Sequence, residues 1–246
     1  YSLRKDGSLS HTNAEMVMEA VKGLKIRPDA IQVLSCGTST ADQLFPSHTA
    51  MVHGLLNSPM EILSPSGVCC SGIHAMKFAY LGIKAGEVNS AVATGSEHVS
   101  PMLEARNFEV EADNLSRLEG DPLIAFEKDF IRWMLSDGAG SALLQDKANK
   151  NGHSLKIEWI ESRSYANEYE TCMYAGADKR ENGSLKSWKE FEPSEWLDHS
   201  VFAIKQDVKL LGSTIVPLGG KFLKEIAQRR NRWHGNYRRQ MVYQFS

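Results

Sequence analysis

Between Ile31 and Gly95 the chain alternates short apolar runs with helical stripes, and that alternation constrains the fold more than any other feature. Ile31-Gln32-Val33-Leu34-Ser35 reads as a short β run, followed by the small, turn-forming stretch Cys36-Gly37-Thr38-Ser39-Thr40 expected at a strand's carboxyl end. Ser47 to Leu56 reads as a helix and Ile62-Leu63-Ser64 as a second strand. The strongest helix runs from Ser71 to Ala85. Ile73, Met76, Tyr80 and Ile83 form one stripe, while Ala75, Ala79 and Gly82 line another face with small side chains, the pattern of a helix held between layers. Gly86 is placed to stop it. Ala91-Val92-Ala93-Thr94-Gly95 then has the unbroken apolar character of a buried parallel strand. Strands separated by helices predict an α/β fold with a largely parallel sheet.

The flanks fit the same scheme less tightly. Thr12 or Asn13 caps a helix whose apolar face carries Val17, Ala20, Val21 and Leu24, and Pro28-Asp29 turns the chain into the first strand. Pro101 to Asp129 is irregular and charged. Asp137-Gly138 lies between two apolar runs and predicts a hairpin turn, with Ile157-Glu158-Trp159-Ile160 continuing the strand pattern. Residues 178–199 are polar, with Trp188, Phe191 and Trp196 interspersed, and read as a surface excursion. Val201 to Ala227 is helical in pattern, with Pro217 and Gly219-Gly220 expected to kink or split it. No internal repeat or low-complexity tract interrupts the chain.

Composition narrows the function classes. Lys+Arg 28 against Asp+Glu 30 leaves a formal charge of −2, which argues against a broad basic surface for nucleic acid. No stretch approaches the ~20 consecutive apolar residues of a spanning helix, and mean hydropathy is −0.34, so no membrane partner is expected. The N-terminal Tyr1-Ser2-Leu3-Arg4-Lys5 has neither an initiator Met nor an apolar signal segment, as if the true start lay upstream. Four cysteines, at 36, 69, 70 and 172, are too few for a disulfide framework. The vicinal pair would close only a strained ring. Without CxxC, HExxH or His/Cys spacing, no metal site is expected. A reduced, cytoplasmic protein is the default.

Cys70 is the candidate for chemistry. It follows a strand and loop and opens the helix at Ser71, among unpaired backbone N–H groups at the positive end of a helix dipole. Thiolate is favoured there, thiolate is the nucleophile, and the same N–H groups suit an oxyanion. The residues alone leave a second reading open, in which Cys69 and Cys70 are both small buried hydrophobes.

Four segments, in order and in register, resemble the thiolase-like condensing enzymes, and most of all the β-ketoacyl-[acyl carrier protein] synthase III family. Ser66-Gly-Val-Cys-Cys-Ser-Gly-Ile, with its Ala-rich helix ending Ile83-Lys-Ala-Gly86, resembles the nucleophile segment. Ser35-Cys-Gly-Thr-Ser-Thr-Ala-Asp-Gln-Leu-Phe-Pro-Ser47 resembles the family's strand and T-S-T-x-D-x-x-F-P-S run. Ser90 to Glu97 resembles the strand after the nucleophile helix, and Leu135-Ser-Asp-Gly-Ala-Gly-Ser-Ala142 the G-D-G-A-G-A turn. Phe126 to Leu135 resembles a subgroup that joins two acyl chains in dialkylresorcinol-type pathways. The likeness spans roughly residues 10–228, thinning over 100–129 and 161–199.

The resemblance implies a layered αβαβα fold of two similar halves, usually a homodimer. It assigns residues 1–175 to a first half whose start is missing, and 176–246 to an excursion and the opening helix of an incomplete second half. It places the acyl-accepting nucleophile at Cys70, which precedes Ser71-Gly72, rather than at Cys69. The Cys70 backbone N–H would form half of an oxyanion hole, and Asp137-Gly138-Ala139-Gly140 a structural turn. The implied activity is Claisen condensation of an acyl thioester with a malonyl- or β-ketoacyl-carrier-protein extender through an acyl-Cys intermediate. Acyl-CoA and acyl carrier protein would be substrates or partners, with no permanently bound cofactor. The alternatives are a non-catalytic α/β interaction domain, or thioester acyl transfer or hydrolysis without condensation.

The family completes its site with a His in a Pro-His-x-x-x segment and an Asn in an Asn-x-Gly-Asn-like turn, and neither segment occurs in this sequence. His74, four residues after Cys70 on the same helix face, is the possible accessory base, and His98 a second candidate. From Arg232 the sequence loses all periodicity. Codons compatible with Trp233 to Val242, shifted by one base, can encode Gly-Met-Glu-Ile-Thr-Glu-Asp-Lys-Trp-Phe, an acidic turn and strand start of the family's kind. Residues 231–246 are therefore expected to be a frameshifted tail on a truncated chain, acylated at most and unable to condense.

Overall fold

The computed structural model describes residues 11–104, 106–107, 131, 133–150 and 152–230. The tail 231–246 and most of 101–132, with the Phe126–Leu135 run, lie outside or largely outside them. The described residues within 1–100 and 136–160 form one compact unit, and those within 101–135 and 161–245 another.

The first unit is a four-stranded sheet between helical layers. Helix α1 (Asn13–Gly23) starts on a capping box: the Thr12 hydroxyl accepts from the Glu15 N–H, and the Glu15 carboxylate accepts from the Thr12 N–H. Strands β1 (Val33–Gly37), β2 (Glu61–Leu63), β3 (Ser90–Glu97) and β4 (Gly138–Gln145) lie in the order β2-β1-β3-β4. Between β1 and β2 lies α2 (His48–His53), capped by Ser47, and between β2 and β3 lies α3 (Ser71–Ala85). Strand β1 pairs parallel with β2 and β3, and β4 closes on β3 antiparallel.

Alternation along each strand sorts the core into two faces. Leu34, Cys36 and Val92 pack with Val17 and Val21 of α1 and Val52 of α2. Val33, Ala91, Ala93 and Leu144 pack with Ala75 and Ala79 of α3 on the other side. The expected α/β class is thus realised.

On α3 the small face is the one fully enclosed, with Ala75 and Ala79 at 0% exposure, while the Ile73-Met76-Tyr80-Ile83 stripe stays half-buried. Gly86 ends the helix in the left-handed region at φ 79°, as expected.

Four local expectations need correction. Asp137-Gly138 is not a hairpin turn: residues 131, 133 and 134 are helical, the Leu135 N–H donates to the Ile131 carbonyl, and β4 pairs with the distant β3. A short apolar run carries no decisive period, so the run ahead of Asp137 does not by itself reveal a helix. Ile157–Ile160 forms no strand; it lies along α3, where the Tyr80 hydroxyl donates to the Glu158 carbonyl and Ile157 joins the α3 core.

The other two corrections fall in the second unit. Residues 178–199 are no simple excursion. Strand β6 (Ala177–Lys179) pairs antiparallel with β7 (Leu185–Ser187), and a short helix α4 (Glu195–Asp198) follows. Trp188, Trp196 and Phe202 pack edge to face or tilted at centroid distances of 5.4–6.1 Å. Strand β5 (Met173–Tyr174) pairs with β8 (Lys205–Gln206). Finally, α5 (Val208–Arg230) begins later than its pattern and runs unbroken through Pro217. A single missing N–H is tolerated in a helix this long, and the Ser213 and Thr214 hydroxyls bond back to the Leu210 carbonyl just upstream.

Candidate active site

The segment from Gly67 to Gly72 is pressed onto the carboxyl ends of β1 and β3. Gly37 and Gly95 are register partners at those ends. A Cβ on Gly37 would stand 2.1 Å from the Ser71 carbonyl oxygen, and one on Gly72 would stand 3.1 Å from the Gly95 Cα. Backbone therefore meets backbone where α3 begins; at Gly37 only glycine permits it, and at Gly72 a side chain would press on Gly95. Ahead of the helix, Val68–Cys70 forms a single 3₁₀ turn, with Val68 at φ 47°. For a β-branched residue that is a strained conformation, of the kind found at functional turns.

Cys70 occupies the N-cap of α3 and is half-buried. Its sulfur is carried at a helix start, the condition on which its chemistry depends. The Cys70 N–H, expected to face an oxyanion, donates to the Gly67 carbonyl at 2.8 Å. The Ser71 N–H donates to the Val68 carbonyl. For the Cys70 N–H to serve an oxyanion, its turn bond must be shared or released. His74 lies one turn along: a Cβ on Gly67 would be 2.8 Å from His74 Nδ1 and 3.9 Å from the Cys70 Cβ. Cys70 and His74 thus flank the same glycine.

Burial raises the other three thiols. Burial pushes Cys36 up to about 11, only partly offset by the Thr94 and Thr49 hydroxyls. Cys69, also half-buried, is raised by burial and then by the neighbouring charges of Cys70 and Glu97. Burial also raises Cys172, with the Asp207 charge adding to it and Lys179 easing it. None of the four is in a disulfide.

A polar network at the ends of β1 and β3 joins this turn. Glu97 accepts from the Ser39 N–H at 3.0 Å and the Thr40 hydroxyl at 2.7 Å. The Ser39 and Ser71 hydroxyls are 3.4 Å apart, and the Ser71 hydroxyl donates to the Val68 carbonyl at 2.7 Å. Asp42 accepts from the Asn13 and Ala14 N–H groups at the start of α1. His98 lies between Asp42 and Asp137, 3.9 Å from each. Asp137 also accepts from the Ser100 N–H and hydroxyl, which ties the start of β4 to the end of β3. Burial lowers the His48 imidazole, against the pull of Asp42, and its Nε2 meets the Ser96 hydroxyl at 3.3 Å.

Sequence reasoning singled out Cys70, His74 and His98 but missed Glu97, Asp42 and the Ser39–Ser71 contact. The available signal was a carboxylate closing an otherwise buried strand, opposite three consecutive hydroxyl residues, Thr38-Ser39-Thr40. Among the described residues no cluster of His, Cys, Asp or Glu could hold a metal ion, and no helix is long and apolar enough to cross a membrane.

No protein-family model matches the chain. In sequence it is similar to β-ketoacyl-[acyl-carrier-protein] synthase III of Actinobacillus succinogenes, 26% identical over 132 residues, covering 53% of this chain and 35% of that protein. The same-named protein of Haemophilus influenzae is 28% identical over 94 residues, covering 38% and 30%. The alignments thus span about a third of those relatives' length. In structure the chain is similar to AbyA1, a tetronic acid condensing enzyme, with TM-score 0.59 and 16% identity over 92% of this chain and 59% of that one. It is also similar to 3-oxoacyl-(acyl carrier protein) synthase III of Xanthomonas oryzae pv. oryzae, with TM-score 0.56 and 14% identity over 93% and 59%. The fold is thiolase-like α/β, and the resemblance to synthase III read from the four motifs is borne out.

Proposed function

We propose that this chain carries the acyl-accepting part of a synthase III-like condensing enzyme, with Cys70 as the nucleophile. The observation that carries the reading is the placement of Cys70 at the N-cap of α3, on a strained turn with no room beneath it, in a fold shared with condensing enzymes. Burial raises the other three thiols, and none of them stands at the N-cap of α3.

The first half-reaction follows from thioester chemistry. The Cys70 thiolate attacks the carbonyl carbon of an acyl thioester on coenzyme A or acyl carrier protein. A C–S bond forms as the carbonyl π electrons move to oxygen. That oxyanion is stabilised by the positive end of α3 and by the Cys70 N–H as it turns from Gly67. Collapse expels the carrier thiolate, which takes up a proton, and leaves acyl-Cys70. His74, which flanks Gly67 together with Cys70, is the imidazole assigned to hold the thiol proton. In the second half-reaction of a whole condensing enzyme, a malonyl extender loses carbon dioxide, or a β-ketoacyl extender loses an α-proton to a base, and the resulting carbanion attacks the acyl carbon. The β-ketoacyl product forms and the Cys70 thiolate leaves. A homodimer in the cytoplasm, served by carrier protein, completes the proposal.

Mass spectrometry after incubation with acyl-CoA tests the assignment. The expected result is one acyl adduct on the Cys70 peptide, absent in Cys70→Ala. No adduct, or one that persists in the variant, overturns the reading in favour of a packing role for the cysteine pair. Adding malonyl thioester should yield no β-ketoacyl product from this chain, because its sequence lacks the Pro-His and Asn-x-Gly-Asn segments.

A further inference from the structure

Two adjacent thiols stand at one helix start, and both are half-buried. Proximity to the dipole therefore does not decide between them. What differs is how the turn is held, and the holding leads back to Glu97. Its carboxylate accepts from the Ser39 N–H at 3.0 Å and the Thr40 hydroxyl at 2.7 Å, and the Thr38 hydroxyl lies 3.5 Å away. The Thr40 hydroxyl in turn accepts from the His98 N–H at 2.7 Å, so it is held from both sides and keeps one lone pair. Residues 38–40 leave β1 directly after Gly37, whose backbone is pressed against the Ser71 carbonyl. Ser39 then meets Ser71 hydroxyl to hydroxyl, and Ser71 fastens the Val68 carbonyl.

We infer that Glu97 is the positioning residue of this site: by fixing the 38–40 loop against Ser71 it braces the strained turn so that Cys70, and not Cys69, is the sulfur presented for reaction. The inference rests on the proposed role of Cys70. The negative charge of Glu97 acts in the same sense, adding to burial and the neighbouring Cys70 in raising the Cys69 thiol. One carboxylate thereby serves twice, through its hydrogen bonds on the turn and through its charge on the unwanted thiol.

The two effects separate by substitution. Glu97→Gln keeps the shape and can satisfy Ser39 and Thr40 with its carbonyl and amide, but removes the charge. Glu97→Ala removes both. Each variant of the full chain is alkylated with iodoacetamide across pH, a reaction in which thiolate displaces iodide, and fragment-ion mass spectrometry assigns the product to each cysteine. In wild type Cys70 should outpace Cys69, Cys36 and Cys172. In Glu97→Gln the Cys69 rate should rise about threefold, with its pH profile moved to lower pH, as loss of a nearby like charge requires. In Glu97→Ala the Cys70-to-Cys69 ratio should fall about tenfold, because the brace is lost as well. A purely structural role would not move the Cys69 pH profile in the isosteric variant. If wild-type Cys70 is selective and the Cys70-to-Cys69 ratio in Glu97→Ala matches wild type, the inference fails and the Cys70 assignment survives. If wild-type Cys70 reacts no faster than Cys69, both are overturned.

Discussion

The two compact units reach order by opposite means. Around α3 the sheet unit uses the smallest side chains, with Gly37, Gly72 and Gly95 allowing backbone to meet backbone and Ala75 and Ala79 fully enclosed. Among the described residues the second unit has strands of two or three residues and relies on large rings and charges. Trp188, Trp196 and Phe202 cluster there, and Lys179 bridges Glu170 and Asp207 at 2.8 Å each. A contact made by backbone has no rotamer with which to yield, whereas an aromatic cluster can adjust its χ angles. Positional accuracy is concentrated in the unit that carries Cys70.

The sharpest way to break this contrast is Gly37→Ala. The new Cβ would overlap the Ser71 carbonyl, and because that neighbour is backbone the cost should be about 3 kcal/mol or more. Segment-resolved hydrogen exchange on the whole chain should show protection lost over 33–37, 71–85 and 90–97. Exchange over 173–206 should hold; equal loss in both units would erase the distinction.

The converse is Trp196→Ala, expected to cost about 2–3 kcal/mol as a half-buried ring leaves its cluster. Here protection should fall over 173–206 and the Cys70 alkylation rate should stay at its wild-type value.

Acid sharpens the comparison at lower amplitude. Burial pushes the Asp207 carboxyl up, but Lys179 and the Leu210 N–H outweigh it and hold the group below its ordinary 3.8. A depressed carboxylate stabilises the fold above its unfolded value, and the contribution is lost as pH falls through the folded one. The second unit should therefore loosen as pH drops below about 4, and Lys179→Met, costing on the order of 1 kcal/mol at neutral pH, should flatten that dependence in thermal melts. An unchanged acid profile in the variant would remove the ion pair from the account.

Smallest is Thr12→Ala, which deletes one cap of α1 for about 0.5–1 kcal/mol. Its exchange signature should stop within the first turns of that helix.

Features set by near neighbours were legible in the sequence, and features set by distant partners were not. Helix α3 could be placed from Ser71 to Ala85 because its stripe and its glycine stop are local. The T-S-T-x-D loop and the β3 end were located as motifs, but the bonds that join them span 57 and 58 residues, and no local pattern encodes such a pairing. For the same reason β4 was assigned the wrong neighbour, since an Asp-Gly step signals a turn without saying which strand lies alongside. The small face of α3 was visible, yet its depth was not, because the residues that receive it, Val33, Ala91, Ala93 and Leu144, lie on three separate strands. Residues 178–199 looked like surface because polar side chains outnumber the rings that organise them.

Val68 adds a consequence about how such a turn can change. Valine at φ 47° costs on the order of 1–3 kcal/mol, and glycine would adopt the same angle freely. Val68→Gly would relax that loaded spring and, by the same step, let the sulfur swing. The hardiest version of this chain and the best-aimed one are therefore two different molecules.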